Sequence, residues 1–170
     1  MDDVRSRSRR ALLPGLVVAV PAPMTCRPPW AKSESAFLAA CTRCDACVRA
    51  CPEHVLVRDA DGLPRFDALA GECTFCGACA AACDSDAFEP TRSPPWTLVA
   101  HVAEACLSAQ GVVCASCREV CPASAIRVPP GARGAATVDL DACTGCGACT
   151  ATCPADAITL RHTPAMEAIA

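Results

Sequence analysis

The chain has 170 residues, a formal net charge of −3 at pH 7 and 17 cysteines, whereas large core-forming side chains are scarce, with four Phe, two Trp and no Tyr. A cysteine fraction this high is typical of a disulfide scaffold or a metal protein, and a mildly acidic chain lacks the basic face that nucleic-acid binding requires. We therefore expect bound metal, rather than a large apolar core, to hold the fold together.

The first 29 residues form a basic and proline-rich segment that we expect to be poorly ordered, like the tail at residues 161–170. The run around Arg9-Arg10 resembles a twin-arginine export signal. The apolar stretch Leu12–Val20 is interrupted by Pro14, is too short to cross a bilayer, and has no convincing cleavage site after it. We expect no membrane span, with export as the alternative.

The elements predicted along the rest of the chain are short. Two Ala-rich stretches, Lys32–Ala40 and Thr97–Ala105, each follow a Pro-Pro-Trp sequence and are predicted to be helices. Strands are predicted at residues 55–57, 125–128 and 157–160, with hairpin-like turns at residues 61–62 and 131–134. Residues 84–96 contain three prolines and are the predicted linker between two halves.

Three copies of the spacing C-x2-C-x2-C-x3-C and one incomplete copy lie between residues 41 and 153. Pro52, Asp84 and Pro154 follow the complete copies, and the incomplete copy has Gly111 where its first cysteine would stand. In chain order the cysteines are Cys41, Cys44, Cys47 and Cys51; Cys73, Cys76, Cys79 and Cys83; Cys114, Cys117 and Cys121; and Cys143, Cys146, Cys149 and Cys153.

The motifs repeat at two levels. Every cysteine from Cys44 to Cys83 has a counterpart 70 residues later, so the chain is a tandem duplication of a unit that is itself duplicated. The two tryptophans, Trp30 and Trp96, precede Cys41 and Cys106 by similar intervals. We therefore interpret Cys106 as the displaced first cysteine, with residues 107–111 looping out after it. The alternative is that Cys106 is a buried structural thiol and that its site has three ligands.

This spacing indicates [4Fe–4S] clusters, because three cysteines of one tight loop can converge on one cluster while the fourth ligates the other cluster of the pair. We expect four clusters, with Cys26 left over as an incidental thiol. The predicted ligands are Cys41, Cys44, Cys47 and Cys83 for cluster one; Cys51, Cys73, Cys76 and Cys79 for cluster two; Cys106, Cys114, Cys117 and Cys153 for cluster three; and Cys121, Cys143, Cys146 and Cys149 for cluster four.

Zinc and disulfides are the weaker alternatives. Three cysteines at i, i+3 and i+6 would crowd a single zinc ion, and His54, His101 and His162 show no ligand spacing. A disulfide scaffold requires an oxidising compartment and does not explain the repeated run. We find no phosphate-binding Gly loop, no nucleophile with a base and no paired acids, and therefore do not expect an enzyme.

The motifs resemble those of bacterial two-cluster ferredoxins in duplicate. With its flanks the chain is similar, over roughly residues 9–160, to the NapF family, the ferredoxin-type proteins of the periplasmic nitrate reductase system. The resemblance rests on the segments 9–13, 27–31, 41–44, 73–77, 106–112 and 143–149. Asp84 and Pro14 depart from the pattern common among such proteins.

The expected fold is therefore α+β and loop-rich, with two tandem bacterial-type two-cluster ferredoxin-like units. The units are predicted at residues 30–89 and 90–160, between the N-terminal segment 1–29 and the tail 161–170.

The resemblance implies a cytoplasmic accessory protein that acts on the precursor of the nitrate reductase catalytic subunit before that precursor is exported. The alternatives are an electron-transfer ferredoxin in an anaerobic respiratory chain, and an exported relay in weak association with the membrane.

Overall fold

Short elements joined by loops make up residues 26–163, the part of the chain that the computed structural model describes. The expectations for Arg9-Arg10, for residues 1–25 and for the tail from residue 164 lie outside the described residues. The expectation of poor order is wrong for residues 26–29, where Cys26, Pro28 and Pro29 are buried, and for residues 161–162, which end a paired strand. Helices and strands are mixed, as expected for an α+β chain. The helices are α1 (Glu34–Ala40), α2 (Ala46–Ala50), α3 (Ala78–Ala81), α4 (Ser116–Glu119) and α5 (Ala148–Thr152); the strands are β1 (Leu56–Arg58), β2 (Pro64–Phe66), β3 (Leu98–Val102), β4 (Ile126–Arg127), β5 (Thr137–Val138) and β6 (Ile158–His162).

In the first half of the chain, residues 30–89, the predicted helix and hairpin are confirmed. Helix α1 buries Phe37 completely, and its ring packs edge-on against Phe88 with centroids 5.8 Å apart. Strands β1 and β2 pair antiparallel, and the Asp59 carboxylate closes their turn by accepting hydrogen bonds from the backbone N–H groups of Asp61 and Leu63. An isolated antiparallel bridge between Ala31 and Phe88 joins the two ends of this half.

In the second half, residues 90–160, the predicted strands at 125–128 and 157–160 are confirmed as β4 and β6. Strand β4 pairs antiparallel with β5 across the predicted turn at residues 131–134. Strand β6 pairs antiparallel with β3 over five residue pairs, from Leu98 opposite His162 to Val102 opposite Ile158. This two-stranded sheet joins the ends of the second half, as the single bridge does in the first.

The predicted helix at Thr97–Ala105 is wrong, because the structure has strand β3 there. Val99 and Val102 are β-branched and fit a strand better than a helix, and Leu98, Val99 and Ala100 are all buried. The strand available for pairing also differs between the halves. In the second half, β6 continues beyond Ile158 and can form a ladder with β3. In the first half, Phe88 is the residue equivalent to Ile158, and Pro90, which has no N–H to donate, soon follows it.

The two halves pack against each other, and the predicted linker at residues 84–96 is part of that packing. Ala87, Phe88 and Trp96 within it are buried. The Trp96 ring lies against Phe66 and Phe75, with centroids 4.9 and 5.3 Å away. The backbone N–H of Trp30 donates to the carbonyl of Pro95 at 2.8 Å, so the two Pro-Pro-Trp segments are in direct contact.

The apolar core is thin, as the composition predicts. It forms two clusters, one around Phe37, Leu63 and Phe66 and one around Ile126 and Ile158, and cysteines and alanines supply much of each. None of the helices within residues 26–163 is long and apolar enough to cross a membrane. The thin core leaves the cysteine sites to hold the loops in place.

Gly147 provides a test of the packing between the halves. It has a φ of +93°, and a Cβ placed on it would lie 2.9 Å from Cζ of Phe66 and 3.2 Å from the carbonyl oxygen of Gly71. Gly77 occupies the same motif position at a φ of +77°, but a Cβ there would have no neighbour within 4 Å. Both Gly→Ala variants carry left-handed strain. Gly147→Ala should lose about 1–3 kcal/mol more unfolding free energy than Gly77→Ala, because only it overpacks the contact between the halves.

Denaturant unfolding of the two metal-loaded variants measures this difference. Equal unfolding free energies would contradict the packing described here.

Candidate functional site

The structure brings the cysteines together around four cavities, each lined by four of them. We call these sites one to four, in the order of the predicted clusters. Site one is lined by Cys41, Cys44, Cys47 and Cys83; site two by Cys51, Cys73, Cys76 and Cys79; site three by Cys106, Cys114, Cys117 and Cys153; and site four by Cys121, Cys143, Cys146 and Cys149.

Each grouping is the one predicted from the spacing, including the exchange of the fourth cysteine between motifs. The four cavities are alike in size. Cys26 is buried but lies outside all four sites. Ligation of iron by these sulfurs stays a prediction at this point.

The loops that carry the first three cysteines bend through left-handed residues. In sites one, two and four, the residue before the second cysteine and the residue after it both have positive φ: Arg43 and Asp45, Phe75 and Gly77, and Gly145 and Gly147. Such conformations turn successive N–H groups towards the inside of a loop, where they can face anionic sulfur. The third cysteine of each motif then lies buried on a short helix, at Cys47, Cys79, Cys117 and Cys149.

The fourth cysteine of a motif is held by backbone donors farther along the chain. The N–H of Ala125 donates to Sγ of Cys121, and the N–H of Ala157 donates to Sγ of Cys153, both at 3.3 Å. The second motif differs, because Asp84 replaces the proline after Cys83. Sγ of Cys83 lies 3.3 Å from the hydroxyl of Ser85 instead.

Cys106 occupies the place of a first cysteine in site three. Residues 107–111 form successive turns, closed by the N–H of Ala109 donating to the carbonyl of Cys106 and that of Val112 donating to Leu107. Burial acts to raise the pKa of the Cys106 thiol, but three backbone N–H groups outweigh it and hold that pKa below its ordinary value; they belong to Ala136, Ala109 and Ser108. These N–H groups favour the thiolate, the form that binds metal.

At the other sites, burial favours the neutral thiol unless a cation lies close to the sulfur. Burial raises the pKa of Cys79 and Cys149 to about 12, and the charges of neighbouring sulfurs add to that effect. Burial likewise raises the pKa of Cys47 and Cys73 to about 11. Four thiolates around one cavity are the soft donor set that iron–sulfur clusters use. A cluster would supply the positive iron that such buried thiolates need.

The geometry of the sites does not favour a single zinc ion. Within residues 26–163, no three His, Cys, Asp or Glu side chains converge closely enough to hold one metal ion, which is the geometry that a single zinc ion needs. All seventeen cysteines are free thiols in the structure, so the disulfide alternative is wrong.

Asp45 is a buried charge beside site one that the sequence analysis missed. It lies between Cys44 and Cys47, is 7% exposed, and forms an ion pair with Arg58 through Oδ2, while Oδ1 has no hydrogen-bond partner. The corresponding residues in the second and fourth motifs are glycines. No pattern in the sequence separates this aspartate from the other acidic residues.

Comparisons with known proteins agree with this geometry. The family described as "4Fe-4S dicluster domain" matches residues 40–88 and 112–158. The "Ferredoxin-type protein NapF" of Escherichia coli K12 is 42% identical over 80% of this chain and 84% of its own length. The protein of that name from Haemophilus influenzae is 44% identical over 79% of this chain and 77% of its own. The "Methylamine utilization ferredoxin-type protein MauM" of Methylorubrum extorquens is 37% identical over 71% of this chain and 64% of its own.

The expected resemblance is thus confirmed, and with it the nature of the cofactor: the chain carries [4Fe–4S] clusters. By the extent and identity of these matches, this chain belongs to the 4Fe–4S dicluster domain family and, within it, to the ferredoxin-type NapF proteins.

Proposed function

We propose that sites one to four each hold one [4Fe–4S] cluster, with the four lining cysteines of each site as its ligands. The observation that supports this most strongly is that each cavity gathers four sulfurs from two motifs, three from one loop and one from the other motif of the same half. The halves, residues 30–89 and 90–160, are then two tandem two-cluster units between the segment 1–29 and the tail 161–170.

The cluster supplies one-electron chemistry, and the chain sets the conditions for it. The cysteine sulfurs bind, and backbone N–H groups of Ala125 and Ala157 orient the sulfurs that they contact. Hydrogen bonds to sulfur, net charge and solvent exposure tune such sites. Asp45, which is paired with Arg58, places a buried carboxylate beside site one that the other three sites lack among the described residues.

We further propose that the protein is a cytoplasmic accessory factor, and not an enzyme, that assists maturation of the periplasmic nitrate reductase catalytic subunit. Its partner would be the precursor of that subunit before export, through cluster or electron supply. The support is the similarity to NapF proteins over most of their length. Neither nucleic acid nor a membrane span has a part in this proposal, and weak membrane association is an alternative.

A second candidate is an electron-transfer ferredoxin in an anaerobic respiratory chain. One observation favours it. Sites two and four are in direct backbone contact, because the backbone N–H of Cys73 donates to the carbonyl of Cys146 at 2.7 Å.

Substitution of Cys106 tests the ligand set of site three. Anaerobically purified wild-type protein should hold about sixteen iron atoms, four for each cluster. Cys106→Ala should lose iron and EPR intensity from one cluster only. Cys26→Ala is the matched control, because Cys26 is also buried but lines no site, and it should retain all the iron. Unchanged iron content in Cys106→Ala would show that Cys106 is a structural thiol.

Removal of iron tests how far the clusters stabilise the fold. We expect chelation under anaerobic conditions to unfold most of the chain, because the longest helix in residues 26–163 has seven residues and the sheets have two strands each. Far-UV circular dichroism and amide hydrogen exchange measure the loss. A native-like spectrum with protected amides in the iron-free protein would argue against this role for the metal.

A deletion strain separates the two candidate functions. If the protein assists maturation, nitrate reductase precursor purified from cells that lack it should be deficient in its own [4Fe–4S] cluster, and the tagged wild-type chain should co-purify with that precursor anaerobically. If the protein is an electron carrier, the precursor from the deletion strain should hold its full complement of [4Fe–4S] cluster, and only the rate at which that cluster is reduced should fall. Full cluster loading together with no co-purification would contradict the maturation role.

A further inference from the structure

Sites one and two lie side by side in the first half. Cys47 of site one is on α2, Cys79 of site two is on α3, and these two helices pack against each other. The exchange of Cys51 and Cys83 between the motifs ties the two sites together further.

The second half repeats this arrangement. Cys117 of site three is on α4 and Cys149 of site four is on α5, and these helices also pack together. Each half is therefore a closely packed pair of sites.

The two pairs meet at sites two and four. The N–H of Cys73, in site two, donates to the carbonyl of Cys146, in site four, at 2.7 Å. The indole N–H of Trp96 donates to the carbonyl of Thr144 at 2.8 Å, while its ring packs on Phe75. Thr144 and Phe75 belong to the cysteine loops of sites four and two, so Trp96 holds those two loops together. Gly147 allows the two halves to approach closely, because its missing side chain leaves room for the Phe66 ring and for the carbonyl of Gly71.

We propose that the four sites form one continuous line in the order one, two, four, three, joined at its centre by Cys73, Cys146 and Trp96, rather than two independent pairs. The proposal rests on the ligand sets given under the proposed function. Three contacts carry it: the packing of α2 against α3, the hydrogen bond from Cys73 to Cys146, and the packing of α4 against α5. Sites one and three are then the two ends, and the order in space differs from the order along the chain.

The electron balance of this line is simple. One electron moves from one site to the next, so the site that gives it is oxidised by one electron and the site that takes it is reduced by one. No bond forms or breaks and no proton is required. An external one-electron donor and an external one-electron acceptor exchange with the line. Electrons that cross between the halves pass between sites two and four.

Two variants, each keeping one site in each half, test the order. The first replaces Cys44, Cys47, Cys114 and Cys117 by Ala and keeps sites two and four. The second replaces Cys76, Cys79, Cys146 and Cys149 by Ala and keeps sites one and three. The substitutions fall on the same two motif positions in both variants, so the variants are matched. Each is reconstituted anaerobically as the full chain, assayed for iron and sulfide, reduced with dithionite and examined by low-temperature EPR.

The variant that keeps sites two and four should show split or broadened signals with half-saturation shifted to higher microwave power, which indicates spin–spin interaction. The variant that keeps sites one and three should show two isolated signals. If the first variant holds about eight iron atoms per chain, four for each cluster, but shows isolated signals, the proposed order of sites is wrong and the ligand sets still stand. An iron content far from about eight overturns the ligand sets of the proposed function, and the line with them.

If either variant does not fold, two single substitutions in the intact chain provide the answer. Gly147→Ala adds a methyl group at the junction between the halves, whereas Gly77→Ala adds one at the same motif position with open space around it. Gly147→Ala should shift half-saturation to lower microwave power relative to wild type, and Gly77→Ala should leave it unchanged. Equal half-saturation in all three proteins overturns the proposal.

Discussion

Each site takes three sulfurs from one motif and the fourth from the other motif of the same half, and the rest of the fold depends on this exchange. The sheets have two strands each and the helices four to seven residues, so none of these elements is stable alone in water. The exchange links the loops where an apolar core would otherwise do so. Under the proposed ligand sets, positive iron would offset the charge of the buried thiolates and make the cofactor part of the fold.

The duplication places the two pairs of sites in similar surroundings but not in identical ones. Trp30 and Trp96 are equivalent by sequence, and both rings lie near Phe75, but Trp96 is the more deeply buried of the two and also contacts Phe66. The first half begins with helix α1, whereas the second begins with strand β3. Asp45 puts a buried carboxylate beside site one only. The duplicated chain thus has at least one site, site one, whose electrostatic surroundings differ from those of its counterparts.

The groupings of cysteines could be predicted from the sequence because thiol spacing alone determines which sulfurs can share a loop. Cys106 required a second signal, the two Pro-Pro-Trp landmarks, because a five-residue insertion separates it from Cys114. Strand β3 could not be predicted from its Ala content, because its conformation depends on a partner strand about sixty residues away. The left-handed residues Arg43, Asp45 and Phe75 carry no local signal, since their conformations are imposed by the loops around the sites.

The pairing of β3 with β6 has a consequence for how the protein is made. Leu98 lies opposite His162, and Cys106 shares site three with Cys153. Contacts between residues so distant in sequence form late, because a long stretch of chain must be ordered before they can form. During synthesis the first half has all its cysteines while the ribosome is still adding the second. The second half cannot close until β6 has emerged, so the two halves should acquire their metal one after the other, in the order of the chain.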